Sequence, residues 1–161
     1  NSKGMTNYRE LMQVCGYTDY LTDDFFDDNV SNTNNKIPIV IRIKYNKKTN
    51  SFITDPAQEY IYANFKLEKN KEYIAFVVRD DSMLPLLGTE DTAIIEKCSS
   101  IKNNKIYLLI NDDKLLIRKI LILDNNEYEL EPLNPYFPKE KATDLHIIGK
   151  VIRVEMKSAF L

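Results

Sequence analysis

The chain has 161 residues, 43% of them hydrophobic, which is enough for one ordinary domain with an appended segment. Lysine and arginine total 22 against 24 aspartate and glutamate residues, and this net charge of −2 argues against a free-standing DNA-binding domain, in which basic residues dominate. The single histidine, His146, and the two cysteines, Cys15 and Cys98, exclude a zinc site and a histidine-based catalytic triad. We therefore expect no metal and no cofactor. We also expect two reduced thiols in a cytoplasmic protein, with no membrane-spanning segment.

The first 35 residues predict a short helix followed by a linker. Residues 6–15 carry apolar side chains at spacings of three and four, with Thr6 as a cap and Gly16 as the stop. Residues 22–35 are acidic and then rich in asparagine, which is typical of a solvated linker. We therefore divide the chain into residues 1–21, a linker of residues 22–35, and a domain of residues 36–161.

From Lys36 onward the sequence predicts β-strands. Isoleucines at positions 37, 39, 41 and 43 alternate with other residues, as they do in a strand with one buried face. Further short apolar runs follow: Glu72–Arg79, Thr92–Glu96, Ile106–Ile110, Leu115–Ile122, Tyr128–Leu130 and Ile147–Val154. Asparagine-rich turns separate several of them, and residues 111–114 (Asn-Asp-Asp-Lys) predict a hairpin. Little helix is expected between them, so the domain is predicted to be compact and mostly β.

Five motifs give this chain a recognisable family pattern. Residues 80–85 read Asp-Asp-Ser-Met-Leu-Pro, which resembles the Gly-Asp-Ser-Met-x-Pro motif of LexA-like self-cleaving repressors. Four further segments follow the order of that family: Ile-Pro-Ile-Val at 37–40, Glu-Asp-Thr-Ala-Ile-Ile at 90–95, Leu-Asn-Pro-Tyr-Phe-Pro at 133–138, and Ile-Ile-Gly-Lys-Val-Ile at 147–152. Each motif is weak alone, and their order makes the set specific. The resemblance implies a compact LexA-like C-terminal domain with a peptidase-type β fold, preceded here by the short helix.

The resemblance also implies a serine peptidase site. The family uses a serine nucleophile and a lysine general base, a pair that requires no histidine. Ser82 matches the nucleophile, and Asp81, Met83 and Pro85 match the residues that shape the turn and its backbone oxyanion site.

The lysine position is where this chain departs from the family. When the apolar residues of 115–121 are aligned, Arg118 falls on the lysine position and Lys119 on the next residue. Arginine keeps its proton in proteins, so Arg118 cannot be a general base and is expected to inactivate the site. Lys119 is an alternative base only if the strand register shifts by one residue, because neighbouring strand residues face opposite sides.

Two further features bear on this predicted site. Asp80 replaces the glycine of the family motif, and we expect a Ser82–Arg118 contact with a salt bridge from Asp80 or Asp81. Self-cleaving relatives commonly cut at Ala-Gly or Cys-Gly, and here the possible cleavage site is Cys15–Gly16. The competing interpretation is that Gly16 simply ends the helix.

Residues 4–17 resemble the end of a phage-repressor helix-turn-helix domain, in which a short helix ends in Ala-Gly-Tyr. The resemblance implies a bacterial or prophage repressor that binds DNA through a helix-turn-helix domain outside these residues and forms a homodimer. The expected function is that of the dimerisation and regulatory domain of a phage-type or SOS-like repressor, with an antirepressor or a recombinase filament as partner. The alternative is an active self-cleaving peptidase that uses Ser82 and Lys119.

Overall fold

A computed structural model of the chain describes residues 35–157, and these residues are almost entirely β. The mostly β fold class is therefore confirmed. The predicted helix at residues 6–15, the Cys15–Gly16 pair and nearly all of the linker lie outside the described residues, so the proposed division of the chain stays a prediction.

The described residues contain eleven strands and one short 3₁₀-helix. The strands are β1 (Lys36–Val40), β2 (Ile43–Asn46), β3 (Ser51–Thr54), β4 (Tyr60–Tyr62), β5 (Tyr73–Val77), β6 (Thr92–Lys97), β7 (Lys105–Asn111), β8 (Lys114–Ile122), β9 (Tyr128–Glu131), β10 (Glu140–Lys141) and β11 (Leu145–Glu155). The 3₁₀-helix covers Asp124–Asn126 between β8 and β9. The sequence pattern did not predict the short strands β3, β4 and β10.

Nine of these strands form one sheet in the order β10-β9-β8-β7-β11-β6-β5-β1-β4, and β2 and β3 form a separate two-stranded sheet. β1 pairs with β5 in parallel, whereas the ladders that run from β5 through β6, β11, β7, β8 and β9 to β10 are antiparallel. The last strand of the described residues, β11, therefore lies in the interior of the sheet between β7 and β6.

The β7–β8 hairpin positions the strand that carries Arg118. Asn111 lies opposite Lys114, and the two residues between them, Asp112 and Asp113, have φ angles of 52° and 65°. Two consecutive left-handed residues make the tight turn whose twist suits a hairpin, and aspartate tolerates this conformation. The predicted hairpin at residues 111–114 is confirmed.

The isoleucine alternation near the start of the domain spans two strands rather than one. β1 ends at Val40, and β2 begins at Ile43 in the other sheet. Ile37 and Ile43 are buried, but Ile41 lies between the strands and is 58% exposed. The regular spacing therefore did not mark a single strand with all four isoleucines on its buried face.

Residues 37–61 and 68–157 form one compact unit, while residues 35–36 and 62–67 belong to a second. The main buried cluster of the larger unit gathers side chains from several strands and from the loop after β5: Val40, Ile43, Ile74, Phe76, Val78, Met83, Leu87, Ala93, Ile95, Leu108, Ile110, Ile117 and Ile148. A second cluster contains Tyr107, Leu109, Ile120 and Leu130. Alternate residues of β7 enter different clusters, so this strand is buried on both faces.

Candidate functional site

Ser82 lies in the loop between β5 and β6, and its side chain is buried with 1% of the residue exposed. The next residues form a tight turn in which the backbone N–H groups of Leu86 and Leu87 donate to the carbonyl of Met83. Met83 and Leu87 are buried in the main core cluster. Their burial anchors the turn, so that Ser82 is held against the domain rather than on a free loop.

The Ser82 side chain makes two hydrogen bonds. Its hydroxyl Oγ donates to Asp80 Oδ1 at 2.6 Å, and it accepts from Arg118 Nη1 at 2.8 Å. The backbone N–H of Ser82 also donates to Asp80 Oδ1, at 3.0 Å. The predicted contact between Ser82 and Arg118 is therefore present. The predicted salt bridge from Asp80 or Asp81 is not: Asp80 binds Ser82, and Arg118 has its ion pair with Glu140.

Arg118 projects from β8 and is only 3% exposed. Besides Ser82, its Nη1 donates to the carbonyl of Ile117 at 2.8 Å, and its Nη2 lies 3.9 Å from Glu140 Oε2. Its buried Nε has no hydrogen-bond partner among the described residues. Burial lowers the pKa of the guanidinium, while the charges of Asp80 and Glu140 oppose this shift. Arginine nevertheless keeps its proton under these conditions, so position 118 carries a buried positive charge.

Lys119 has different partners from its neighbour. Its Nζ forms an ion pair with Glu131 Oε1 at 2.9 Å, and Lys139 binds the other oxygen of the same carboxylate at 3.3 Å. The hydrogen bond from Lys119 is the main cause of the lowered pKa of Glu131, with Lys139 adding to it. The β7–β8 register runs from Asn111 to Lys105 without a bulge. The register shift that would turn Lys119 toward Ser82 is therefore not observed.

The turn at residues 133–138 contacts the Ser82 loop through Asn134. The backbone N–H of Asn134 donates to the carbonyl of Ser82, and its side-chain Nδ2 donates to the carbonyl of Asp81, both at 2.9 Å. Asn134 Oδ1 also accepts from the N–H of Tyr136 at 3.0 Å. The motifs at residues 80–85 and 133–138 are some fifty residues apart in the sequence, and these hydrogen bonds join them in the structure.

Asp81 does not contact Arg118. Its Oδ1 accepts from the backbone N–H and the hydroxyl of Thr89, each at 3.0 Å. Asp81 therefore makes its side-chain hydrogen bonds within the loop between β5 and β6. Pro85 lies in the same loop, and the Leu84–Pro85 peptide bond is cis. The predicted turn-shaping positions thus lie together around Ser82, whereas Cys15 and Gly16 are outside the described residues.

Glu140 is the site residue that the sequence did not reveal. It comes from the two-residue strand β10 and binds Lys114 at 2.8 Å in addition to its longer contact with Arg118. No local pattern marks it, because it reaches the site through the pairing of β10 with β9 and of β9 with β8. Within the described residues, no group of three or more histidine, cysteine, aspartate or glutamate side chains could hold a metal ion.

The arrangement supplies a buried hydroxyl but no neutral base in contact with it. A serine nucleophile needs a group that accepts its proton as it attacks, and in a Ser-Lys pair this group is a deprotonated amine. Here the cation that touches Ser82 is a guanidinium, which cannot accept a proton. Within the described residues, the hydrogen-bond partners of the Ser82 hydroxyl are a carboxylate and a guanidinium.

Comparison with known proteins identifies the family of the chain. No curated protein matches the chain at a significant level. None of the helices within residues 35–157 is long and apolar enough to cross a membrane. A family model described as Peptidase S24-like matches residues 38–152, which is well over half of the chain. The chain therefore belongs to the Peptidase S24-like family, within the superfamily of LexA and phage-repressor C-terminal domains.

Proposed function

We propose that this chain is the dimerising and regulatory domain of a phage-type transcriptional repressor whose peptidase site no longer cleaves. The observation that carries the proposal is the hydrogen bond from Arg118 Nη1 to Ser82 Oγ at 2.8 Å. The residue that contacts the nucleophile position is thus a permanent cation. A Peptidase S24-like domain with this substitution retains the fold and loses the proton acceptor.

The alternative, an active self-cleaving peptidase, requires Lys119 as the base. The Lys119 Nζ is instead bound by Glu131 of the neighbouring strand at 2.9 Å, so it does not contact the Ser82 hydroxyl. Asp80 accepts the Ser82 proton in a hydrogen bond, but a carboxylate is a far weaker base than a neutral amine. Neither Lys119 nor Asp80 supplies a general base for Ser82, so the inactive form is the better supported one.

An inactive site changes how the repressor would be released from DNA. In the proposed role the domain pairs two helix-turn-helix domains, which lets a dimer span two operator half-sites. Without self-cleavage, release depends on a partner that binds this domain, and an antirepressor protein fits this requirement better than a recombinase filament that promotes cleavage. The net charge of −2 is compatible with a domain that does not itself contact DNA phosphates.

The test is a self-cleavage assay on the intact chain at about pH 10, where lysine amines begin to lose their protons. The wild-type chain and Ser82→Ala are incubated in parallel, fragments are read by mass spectrometry, and sedimentation of the same samples reports the oligomeric state. We expect both chains to stay intact and to sediment as dimers. Fragments that form in the wild type but not in Ser82→Ala would refute the inactive site and establish the peptidase alternative.

A further inference from the structure

The Asp80 carboxylate occupies both hydrogen-bond donors of Ser82. One oxygen, Oδ1, accepts the hydroxyl at 2.6 Å and the backbone N–H at 3.0 Å. The hydroxyl contact has the short length that is typical of an O–H donor bound to a charged carboxylate. The proton that a nucleophile must lose, and a backbone donor next to it, are therefore both held by the same side chain.

Asp80 also lies on the solvent side of this arrangement. It is exposed, whereas Ser82 and Arg118 are 1% and 3% exposed. The Ser82 oxygen is bonded to the carboxylate at 2.6 Å and to the guanidinium at 2.8 Å, so it bridges the two charged groups. The opposite charges therefore lie within the range of about 4–6 Å over which a carboxylate stabilises a cation.

A purely local explanation accounts for only part of this geometry. A bond from the Asp80 side chain to the N–H two residues later is an ordinary turn motif, which asparagine forms equally well. The turn does not require the additional bond to the hydroxyl, nor the bridge that this hydroxyl makes to the buried cation. Because asparagine keeps the turn and removes the charge, the two explanations predict different behaviour for Asp80→Asn.

We infer that Asp80 is a second inactivating residue, whose carboxylate holds the Ser82 hydroxyl proton and keeps any basic side chain at position 118 protonated. This inference rests on the proposed function and extends it. A lysine introduced by Arg118→Lys alone is then an ammonium ion bound to an occupied serine, not a free base. Recovery of a Ser-Lys pair requires that both Asp80 and Arg118 be replaced.

Other charged groups near position 118 could also influence the protonation of a side chain there. Glu140, on β10, has its Oε2 3.9 Å from Arg118 Nη2. Its other carboxylate oxygen forms an ion pair with Lys114 at 2.8 Å. Asp81 is adjacent in sequence, but its Oδ1 is bound by Thr89. Asp81→Asn is therefore a matched control: it removes one negative charge from the same loop without touching the hydroxyl of Ser82.

The experiment measures the ionisation of the introduced lysine by NMR of ¹³C-labelled lysine in the intact chain. Three chains are compared: Arg118→Lys, Arg118→Lys with Asp80→Asn, and Arg118→Lys with Asp81→Asn. We expect Asp80→Asn to lower the pKa of this lysine by at least about one unit, a tenfold weaker hold on the proton. Asp81→Asn is expected to leave it unchanged. Equal pKa values with and without Asp80 would overturn the inference.

A second measurement retains Arg118 and reads the serine position directly. In a chain with Ser82→Cys, Cys15→Ser and Cys98→Ser, thiolate absorbance is followed against pH. Removal of a carboxylate from the thiol favours the thiolate, so Asp80→Asn is expected to lower the pKa of the thiol by about one unit. No change on Asp80→Asn, or the same change on Asp81→Asn, would contradict the inference. Ser82-dependent cleavage of the wild-type chain would instead refute the proposed function, so the two failures are distinguishable.

Discussion

Replacement of Arg118 by methionine tests whether the buried cation is kept for stability. Arg118 is 3% exposed, and only its Nη1 makes hydrogen bonds, to Ser82 and to the carbonyl of Ile117. Its Nη2 has a distant ion pair with Glu140 at 3.9 Å, and its Nε is unpaired among the described residues. Methionine has a similar length and is flexible enough to fill the same space.

The free-energy terms favour the variant. Hydrogen bonds from a charged donor contribute about 1.5–3 kcal/mol each, and a buried unpaired N–H costs about 1–3 kcal/mol. Burial of the charge itself costs several kcal/mol, and an ion pair repays this cost only when its geometry is close. Since the pair with Glu140 is long and Glu140 is partly exposed, we expect Arg118→Met to raise the free energy of unfolding by about 1–2 kcal/mol.

Urea unfolding followed by circular dichroism measures this difference. The control is Lys114→Met, because Lys114 lies on the same strand and binds the same glutamate but is exposed; its effect should stay within about 0.5 kcal/mol. A loss of more than about 1 kcal/mol in Arg118→Met would refute the reasoning. It would show that the bonds from Arg118 to Ser82 and Ile117 outweigh the burial of its charge.

Two further predictions concern close packing between two strands of the sheet and the loss of stability at low pH. A Cβ at Gly149 would lie 2.4 Å from the carbonyl oxygen of Glu96 on the neighbouring strand, so Gly149→Ala should cost about 1–3 kcal/mol in urea unfolding. In the control Gly88→Ala, the added Cβ would first contact the flexible side chain of Leu84. A loss of stability equal to that of Gly149→Ala would contradict the steric argument. Lys119→Gln should raise the pKa of Glu131, as followed by NMR titration. The stability that the lowered pKa of Glu131 contributes is fully present above the unfolded pKa of about 4.3 and is lost as the pH falls through the folded pKa. A Glu131 titration in Lys119→Gln identical to that of the wild type would rule this coupling out.

Much of the strand content could be predicted from sequence because the signals are local. Apolar β-branched runs separated by asparagine and aspartate turns predicted β5 through β9 and β11 to within a few residues. The hairpin turn at Asp112 and Asp113 was predictable because side-chain chemistry alone selects left-handed residues. The order of strands was not predictable, since it depends on pairings between residues far apart in the chain.

The break between β1 and β2 shows where a local pattern misleads. Isoleucines at every second position satisfy the rule for one strand, but Val40 and Ile43 end up in different sheets with Ile41 exposed between them. Alternation records which residues can be buried together on a straight strand. It contains no information on whether the chain turns.

At the candidate site the sequence specified the residues better than their partners. Aligned motifs placed Ser82 opposite Arg118, and the structure shows that contact. They left open whether Asp80 or Asp81 joins it, because the choice depends on a turn in which Asp81 binds Thr89 instead. Glu140 was missed, since a two-residue strand has no periodicity to detect.

The central position of β11 bears on how this polypeptide can be synthesised and truncated. β11 pairs with β7 on one side and β6 on the other, and it contributes Ile148 to the main core cluster. A ribosome must therefore release residues 145–155 before the two halves of the sheet can join, and until then two strand edges stay open to wrong partners. A stop codon before residue 145 would remove this interior strand, and β6 and β7 would lose the partner that joins them.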